Sequence, residues 1–269
     1  MPIEVKTEIR VFDQEQFHAL DRRVMGVVFD VHNEFGRFLD EDLYKAEIAA
    51  RCVELGIHAV EREVLIRVTY ESFTKDYRMD LLLASGVMLE AKAAVALTPA
   101  HRNQALSYLF LTSLNHGRLV NLRTERVQHE FVSTRLTHES RRQFTVADDR
   151  WRDLGKESTL LKTKLLDLLH DWGAFLDVAL YREALLHFLG GRPAVCRPVR
   201  VFSGANCIGT QDMLLLTEHV AWAITAVPSP AAKMEEHQQR FLRHTQLRHL
   251  QWINLSHHRV ELATLSNTE

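Results

Sequence analysis

Four short segments from the first half of this 269-residue chain return in the second half, in the same order. Gly36-Arg-Phe-Leu-Asp-Glu-Asp-Leu-Tyr-Lys45 returns as Gly173-Ala-Phe-Leu-Asp-Val-Ala-Leu-Tyr-Arg182, and Ala59-Val-Glu-Arg-Glu-Val64 as Ala194-Val-Cys-Arg-Pro-Val199. Asp80-Leu-Leu-Leu83 returns as Asp212-Met-Leu-Leu-Leu216, and Val120-Asn-Leu-x-x-x-Arg-Val127 as Ile253-Asn-Leu-x-x-x-Arg-Val260. The displacement drifts only between 132 and 137 residues. Helical or strand periodicity alone does not hold such segments in one order, so the pattern implies a duplicated domain. The expected division is a domain over 1–140, a linker at 141–158 within the polar stretch Thr137–Ser158, and a repeat over 159–269.

Within the first copy the chemistry concentrates between Asp80 and Lys92. Two apolar runs flank Ala84-Ser85-Gly86, which reads as a short turn with glycine at the position that favours positive φ. Pairing Leu83 with Val87 places Asp80 opposite Glu90, where Cβ atoms lie about 4.5–5.5 Å apart. Glu90 and Lys92 then share a strand face and Ala91 points away. Adjacent carboxylates need a cation or a proton between them. A hard divalent ion supplies that cation, and the arrangement suits a metal-dependent phosphodiesterase. An ion-paired, solvated strand face is the plainer alternative. The apolar setting of Met79, Leu81, Leu83, Val87, Leu89 and Ala91 weighs against it, because charges rarely sit on a half-buried hairpin without a function.

The second copy sharpens this. Its sequence alignment replaces Glu41 by Val178, Glu90 by Trp222 and Lys92 by Ile224, leaving only Asp212. Charged positions lost together while apolar ones persist behave as one functional set.

Apolar content of 46% and charged content of 25% describe a globular protein. No run of about eighteen apolar residues is present, and the N-terminus lacks a basic-then-apolar leader pattern, so a cytoplasmic location is expected. Cys52, Cys196 and Cys207 form no C-x-x-C and imply neither a disulfide framework nor a zinc knuckle. The chain carries no H-E-x-x-H, no G-x-x-x-x-G-K-[ST] and no G-x-S-x-G, which removes the support for zinc protease, P-loop and serine hydrolase chemistry.

Val24, Val28, Val31 and Phe35 recur at helical spacing, and Tyr44, Ile48, Cys52 and Leu55 do so beyond a break near Gly36. Val64, Ile66, Val68 and Tyr70 alternate as a strand before the hairpin. Pro99 starts a third helix with Leu106, Leu109, Phe110 and Ser113 inward. Leu119–Leu122 and Val127–Val132 read as further strands, giving an α/β sandwich.

With Glu41, Tyr44, Asp80, Glu90 and Lys92 in place, residues 20–133 resemble the GxxExxY family of the PD-(D/E)xK nuclease superfamily. The matching pieces are Val31-His-Asn-Glu-Phe-Gly36, Glu41-Asp-Leu-Tyr44, Arg78-Met-Asp80, Leu89-Glu-Ala-Lys92, His101-Arg-Asn-Gln104 with Tyr108, and Val120-Asn-Leu122. One departure is Phe38, where the family has glycine; Phe175 repeats it. The resemblance implies a restriction-endonuclease-like sandwich, duplicated, with an inactive second copy. It implies Mg²⁺ or Mn²⁺ held by Asp80, Glu90, the Ala91 carbonyl and Glu41, with Lys92 acting on the attacking water or the transition-state charge. Gln104 is expected to contact phosphate or the lysine, against a plain helix-surface amide. Tyr44, which recurs as Tyr181, is read as structural.

The expected activity is phosphodiester hydrolysis of DNA or RNA with one active site per chain. The alternative is a non-cleaving module that binds nucleic acid or protein. Substrate contact needs local positive charge, and Arg240, Arg243, Arg248 and Arg259 are candidates, either as a binding stripe or as a solvated face. No membrane partner is expected, and the two copies suit a monomer with an internal pseudo-dimer or a homodimer.

Overall fold

The computed structural model describes residues 2–228 and 230–267. The chain divides into two compact units, Met1–His138 and Glu139–Glu269. No helix among the described residues is long and apolar enough to cross a membrane.

The first unit runs β1 (Ile3–Val5), α1 (Gln14–Phe35), α2 (Glu41–Glu54), β2 (Val60–Tyr70), β3 (Phe73–Leu83), β4 (Val87–Lys92), α3 (Pro99–Thr112), β5 (His116–Asn121) and β6 (Gln128–Ser133). The six strands form one sheet in chain order, antiparallel except for the parallel pair β4–β5 that α3 connects. Helix α1 starts at a capping box in which Asp13 and Gln16 satisfy each other's backbone N–H groups. It stops at Gly36, whose φ of +69° suits glycine. Thr98 caps α3 in the same manner, with Pro99 at its first position.

The main core lies between α1, α2 and one face of the sheet. Val24, Val28 and Val31 of α1 and Tyr44, Ile48 and Cys52 of α2 pack there on Leu81, Leu83, Val87, Leu89, Ala91 and Val120. The helical spacings expected from sequence are therefore inward stripes except at their last members, Phe35 and Leu55, which are exposed at the helix ends. The inward face of α3 departs in part from expectation. Leu109 and Phe110 are buried as expected, together with Ala105, Tyr108, Leu111 and Thr112, whereas Leu106 is half-buried and Ser113 is exposed and closes the helix in a left-handed conformation.

The hairpin register is as expected, with Leu83 opposite Val87, Leu82 opposite Met88 and Leu81 opposite Leu89. The turn differs in detail. Positive φ falls on Ala84 and Ser85, as a type I′ turn demands, and Gly86 N–H donates to the Leu83 carbonyl at 3.1 Å. Gly86 is needed for another reason. A Cβ there would stand 2.7 Å from the Arg10 carbonyl and 2.9 Å from the Phe12 ring.

The second unit runs α4 (His138–Arg141), β7 (Thr145–Arg150), α5 (Lys156–Trp172), α6 (Val178–Phe188), α7 (Arg192–Val195), β8 (Cys196–Ser203), β9 (Asn206–Thr217), β10 (Val220–Thr225), α8 (Ala232–Arg243), β11 (His249–Ser256) and β12 (Arg259–Ser266). Its sheet order is β7-β12-β11-β10-β9-β8. From α5 onward it follows the first unit apart from the one-turn α7: two long helices, an antiparallel pair, a third antiparallel strand, a helix, a parallel partner and an antiparallel return. Residues 141–158 are not a free linker. They include β7, which pairs parallel with β12, and the unit boundary falls before them. The polar composition of this stretch reflects an edge strand whose residues are nearly all exposed.

One joint is shared in detail. Tyr44 Oη donates to the Gly36 carbonyl at 2.6 Å, and Tyr181 Oη donates to the Gly173 carbonyl. Each tyrosine satisfies the glycine that ends the preceding helix, which agrees with a structural role for both.

Candidate active site

The candidate residues of the first unit gather where β4 leaves β3. The β3–β4 ladder stops at Leu81–Leu89, so Asp80 and Glu90 lie one step beyond the last paired residues. Asp80 fills the gap with its side chain, whose Oδ2 accepts a hydrogen bond from Ala91 N–H at 2.9 Å. Past this point β4 is held by β5, with Glu90 beside Leu119, Ala91 beside Val120 and Lys92 beside Asn121. A strand that parts from one neighbour while keeping the other opens a notch at its carboxyl end, the usual place for ligands in sheets with parallel strands.

Lys92 Nζ lies 2.8 Å from Glu90 Oε1 and 3.8 Å from Asp80 Oδ2. Glu90 is completely buried, and its Oε2 has no hydrogen-bond partner. Burial and the Asp80 charge push the Glu90 carboxyl up to about 8. Burial by itself would lower the Lys92 ammonium, but Glu90, Asp80 and Glu41 together hold it above its ordinary value.

Glu41, the first residue of α2, reaches the same end of β4. Its Oε2 accepts a hydrogen bond from Ala93 N–H at 3.2 Å. Glu41 therefore fastens the segment after Lys92 with one carboxylate oxygen while its charge acts on Lys92. Asn121 fastens that segment as well. Its Oδ1 accepts from Ala94 N–H at 3.0 Å and its Nδ2 donates to the Ala94 carbonyl at 2.8 Å. Gln104 donates to Tyr108 Oη at 3.1 Å. The Tyr108 phenol is pushed up to about 12 by burial and then by the Glu90 charge.

Two residues of the cluster had not been singled out from the sequence. Lys45 Nζ lies 3.3 Å from Asp80 Oδ1, 2.6 Å from Glu63 Oε1 and 2.8 Å from Asp42 Oδ1, with its side chain only 6% exposed. The signal was present, since Lys45 stands three, four and seven residues before Ile48, Ala49 and Cys52 on the buried stripe of α2. Glu63 sits between the paired positions Arg62–Leu81 and Val64–Met79, facing Asp80, with a φ of +51°.

Hard oxygen donors dominate the notch, and the enclosed Glu90 Oε2 is an acceptor without a donor. These features fit a hard divalent cation. Among the described residues, no trio of His, Cys, Asp or Glu side chains is drawn around a single point, so such an ion would take Asp80 and Glu90 and complete its shell with backbone oxygen and water.

Residues 18–134 match the family model of the PD-(D/E)XK nuclease superfamily. The matched span lies wholly within the first unit and contains every residue of the notch. PD-(D/E)XK domains are usually hydrolytic nucleases that use divalent metals and act on nucleic acid. No curated protein matches the chain.

In the second unit, beyond the PD-(D/E)XK match, β10 likewise parts from β9 after Ala221–Leu215 and stays on β11, but among the described residues no such charged cluster stands at the divergence. Asn254 brackets Val227 as Asn121 brackets Ala94, accepting from its N–H at 2.9 Å and donating to its carbonyl at 3.0 Å. With these two asparagines superposed, the parallel ladders set Glu90 against Ala223 and Lys92 against Thr225. This moves the sequence alignment with Trp222 and Ile224 by one residue. Trp222 is a core side chain on the face that Leu89 occupies in the first unit. Asp212 shifts likewise. It is exposed and pairs with Pro198, whereas Met213, packed on the second unit's core, takes the Asp80 position. A hairpin loop one residue shorter in β9–β10, with a bulge at Val220–Ala221, hid this shift from a comparison of short segments.

The candidate basic residues are spread over a helix end, a loop and a strand start. Arg240 and Arg243 end α8, Arg248 lies in the following loop, and Arg259 begins β12. Arg240 pairs with Glu236, and Arg259 pairs with Glu261 at 3.0 Å.

Proposed function

We propose that the first unit is a divalent-metal-dependent nuclease of the GxxExxY type, hydrolysing DNA or RNA with one active site per chain. The observation that carries this reading is the notch itself: two buried carboxylates and a lysine held at a strand divergence, with Glu90 Oε2 unpartnered. Asp80, Glu90 and the Ala91 carbonyl would hold Mg²⁺ or Mn²⁺. When bound, the ion would polarise the scissile phosphate and lower the pKa of a coordinated water.

The protein's own contributions follow from the geometry. Lys92, held charged by its carboxylate neighbours, places positive charge where the transition state gathers negative charge. The Ala91 N–H fixes the Asp80 rotamer, so the carboxylate is oriented before substrate arrives. Glu41 and Asn121 hold the segment after Lys92, which keeps the end of β4 from fraying. Gln104, hydrogen-bonded to Tyr108, is the candidate for phosphate contact.

The second unit is read as a degenerate copy that serves structure or substrate binding. Its support is the shared order of elements, the shared tyrosine–glycine and asparagine brackets, and apolar or neutral residues at the positions of Asp80, Glu90 and Lys92. A second reading, a non-cleaving binding module, draws on the pairing of Asp80 with both Lys45 and Lys92, which could leave the carboxylate satisfied without metal.

A panel of single- and double-stranded DNA and RNA incubated with Mg²⁺ or Mn²⁺ separates the two. Cleavage that disappears in Asp80→Asn and Lys92→Ala supports the nuclease. Binding without cleavage, equal in wild type and Asp80→Asn, would establish the module instead.

A further inference from the structure

At Asp80 Oδ1, the oxygen not held by Ala91 N–H, the ammonium of Lys45 meets three carboxylates. Asp80 Oδ1 is 3.3 Å away, Glu63 Oε1 2.6 Å and Asp42 Oδ1 2.8 Å. The Lys45 and Asp80 side chains are both nearly sealed from solvent, and Glu63 and Asp42 are progressively more open. A buried ammonium held this tightly is a fixed element of the site.

The backbone has also been bent to make the arrangement. Glu63 has a φ of +51° inside a strand, at the one register position between Arg62–Leu81 and Val64–Met79 where no ladder pair forms. A side-chain-bearing residue in that region is strained by about 1–3 kcal/mol, and such strain persists only when surrounding contacts impose it. The contact available to impose it is the short Lys45–Glu63 pair.

Asp80 therefore has a cation on each side, Lys45 at Oδ1 and the Lys92 region at Oδ2. We propose that Lys45 is a resident counter-cation of Asp80: it keeps the acidic notch folded when no divalent ion is bound, and an entering ion must compete with it for the Asp80 charge. Lys45 is thus a positioning residue that sets how tightly the site takes metal. Glu63 and Asp42 moderate it by sharing its charge. The competition rests on the metal-dependent reading above, whereas the pairing of Lys45 with Asp80 does not.

The two parts separate experimentally. In EDTA, thermal unfolding of wild type, Lys45→Met, Asp80→Asn and the double variant forms a cycle. The double variant should lose less than the sum of the single losses, and additive losses would overturn the pairing. Calorimetric titration with Mn²⁺ alone reads the competition. Lys45→Met should bind Mn²⁺ at least tenfold tighter than wild type, and Lys45→Arg should stay close to wild type. Equal or weaker binding by Lys45→Met would overturn the proposal. If Lys45→Met does not fold, Glu63→Gln takes its place. With one sharing carboxylate gone, Lys45 bears harder on Asp80, and Mn²⁺ binding should weaken at least threefold; no change overturns the proposal. A wild type that binds no Mn²⁺ would sink the metal reading and the competition, while the EDTA cycle still decides the pairing.

Discussion

From α1 and from α5 the two units share a run of helices and strands but treat carboxylates in opposite ways. The first buries Asp80, Glu90 and Lys45 around the point where β4 parts from β3. In the second, Met213, Ala223 and Thr225 take the places of Asp80, Glu90 and Lys92, and no carboxylate is buried among the described residues. Arg182, which follows Tyr181 as Lys45 follows Tyr44, is exposed. The second six-stranded sheet is built without such a cluster, so a sheet of this kind does not require one. The cluster is in fact a cost, since an enclosed oxygen with no partner forfeits about 1–3 kcal/mol or more. An unpartnered buried carboxylate oxygen of this kind favours the metal-dependent reading proposed above.

The largest effect that tests this contrast concerns Asp80 and Asp212. Asp80→Asn should reduce phosphodiester cleavage by about 10³-fold, on the scale of losing one preorganised electrostatic contact, whereas Asp212→Asn should leave it unchanged. A comparable loss from Asp212→Asn would break the contrast between the units.

Next come the two asparagine brackets. Asn121→Ala and Asn254→Ala each remove two hydrogen bonds to the half-buried backbone of Ala94 or Val227, and at about 0.5–1.5 kcal/mol per bond each should cost its own unit about 1–3 kcal/mol in denaturant unfolding. Only the first should slow cleavage, because only Ala94 follows the site lysine.

A third test is the pH dependence of stability without metal. The Glu90 carboxyl titrates higher in the folded protein than in the unfolded chain. Between about 4.5 and about 8 the folded state holds the extra proton, so stability should fall as pH rises through that window. Melting temperatures in EDTA across pH 4–9 should show the fall. Glu90→Gln should flatten it, and a profile that rises in wild type would contradict the assignment.

The smallest effect belongs to the second unit's arginines. Arg240 and Arg259 already have acidic partners, so charge reversal of Arg240 with Arg243 should weaken nucleic-acid binding only a few-fold, measured by anisotropy at fixed salt. A loss of a hundredfold or more would restore the stripe as a binding surface.

Much of this was legible in the sequence for identifiable reasons. The stripes of α1 and α2, the Pro99 start of α3 and the Leu83–Val87 register follow from periodicity and turn chemistry, which are local. The meeting of Asp80, Glu90 and Lys92 followed from that register alone. The rest depends on things that spacing does not carry. Lys45 and Glu63 enter the site through the packing of α2 on the sheet and a left-handed residue inside β2. The shift of Trp222 and Asp212 by one position came from a shorter loop and a bulge, which short matching segments cannot register. Residues 141–158 looked like a linker because an exposed edge strand and a tether share the same polar composition.

That edge strand bears on how the protein can be taken apart. Cutting the chain after residue 158 would carry β7 away with the first unit and leave β12 with an open row of amide and carbonyl groups. Such a rim is a template for sheets to add to one another, so the isolated second unit would be prone to self-association and fibre growth. A cut after His138 leaves β7 in place and should yield a second fragment that remains soluble.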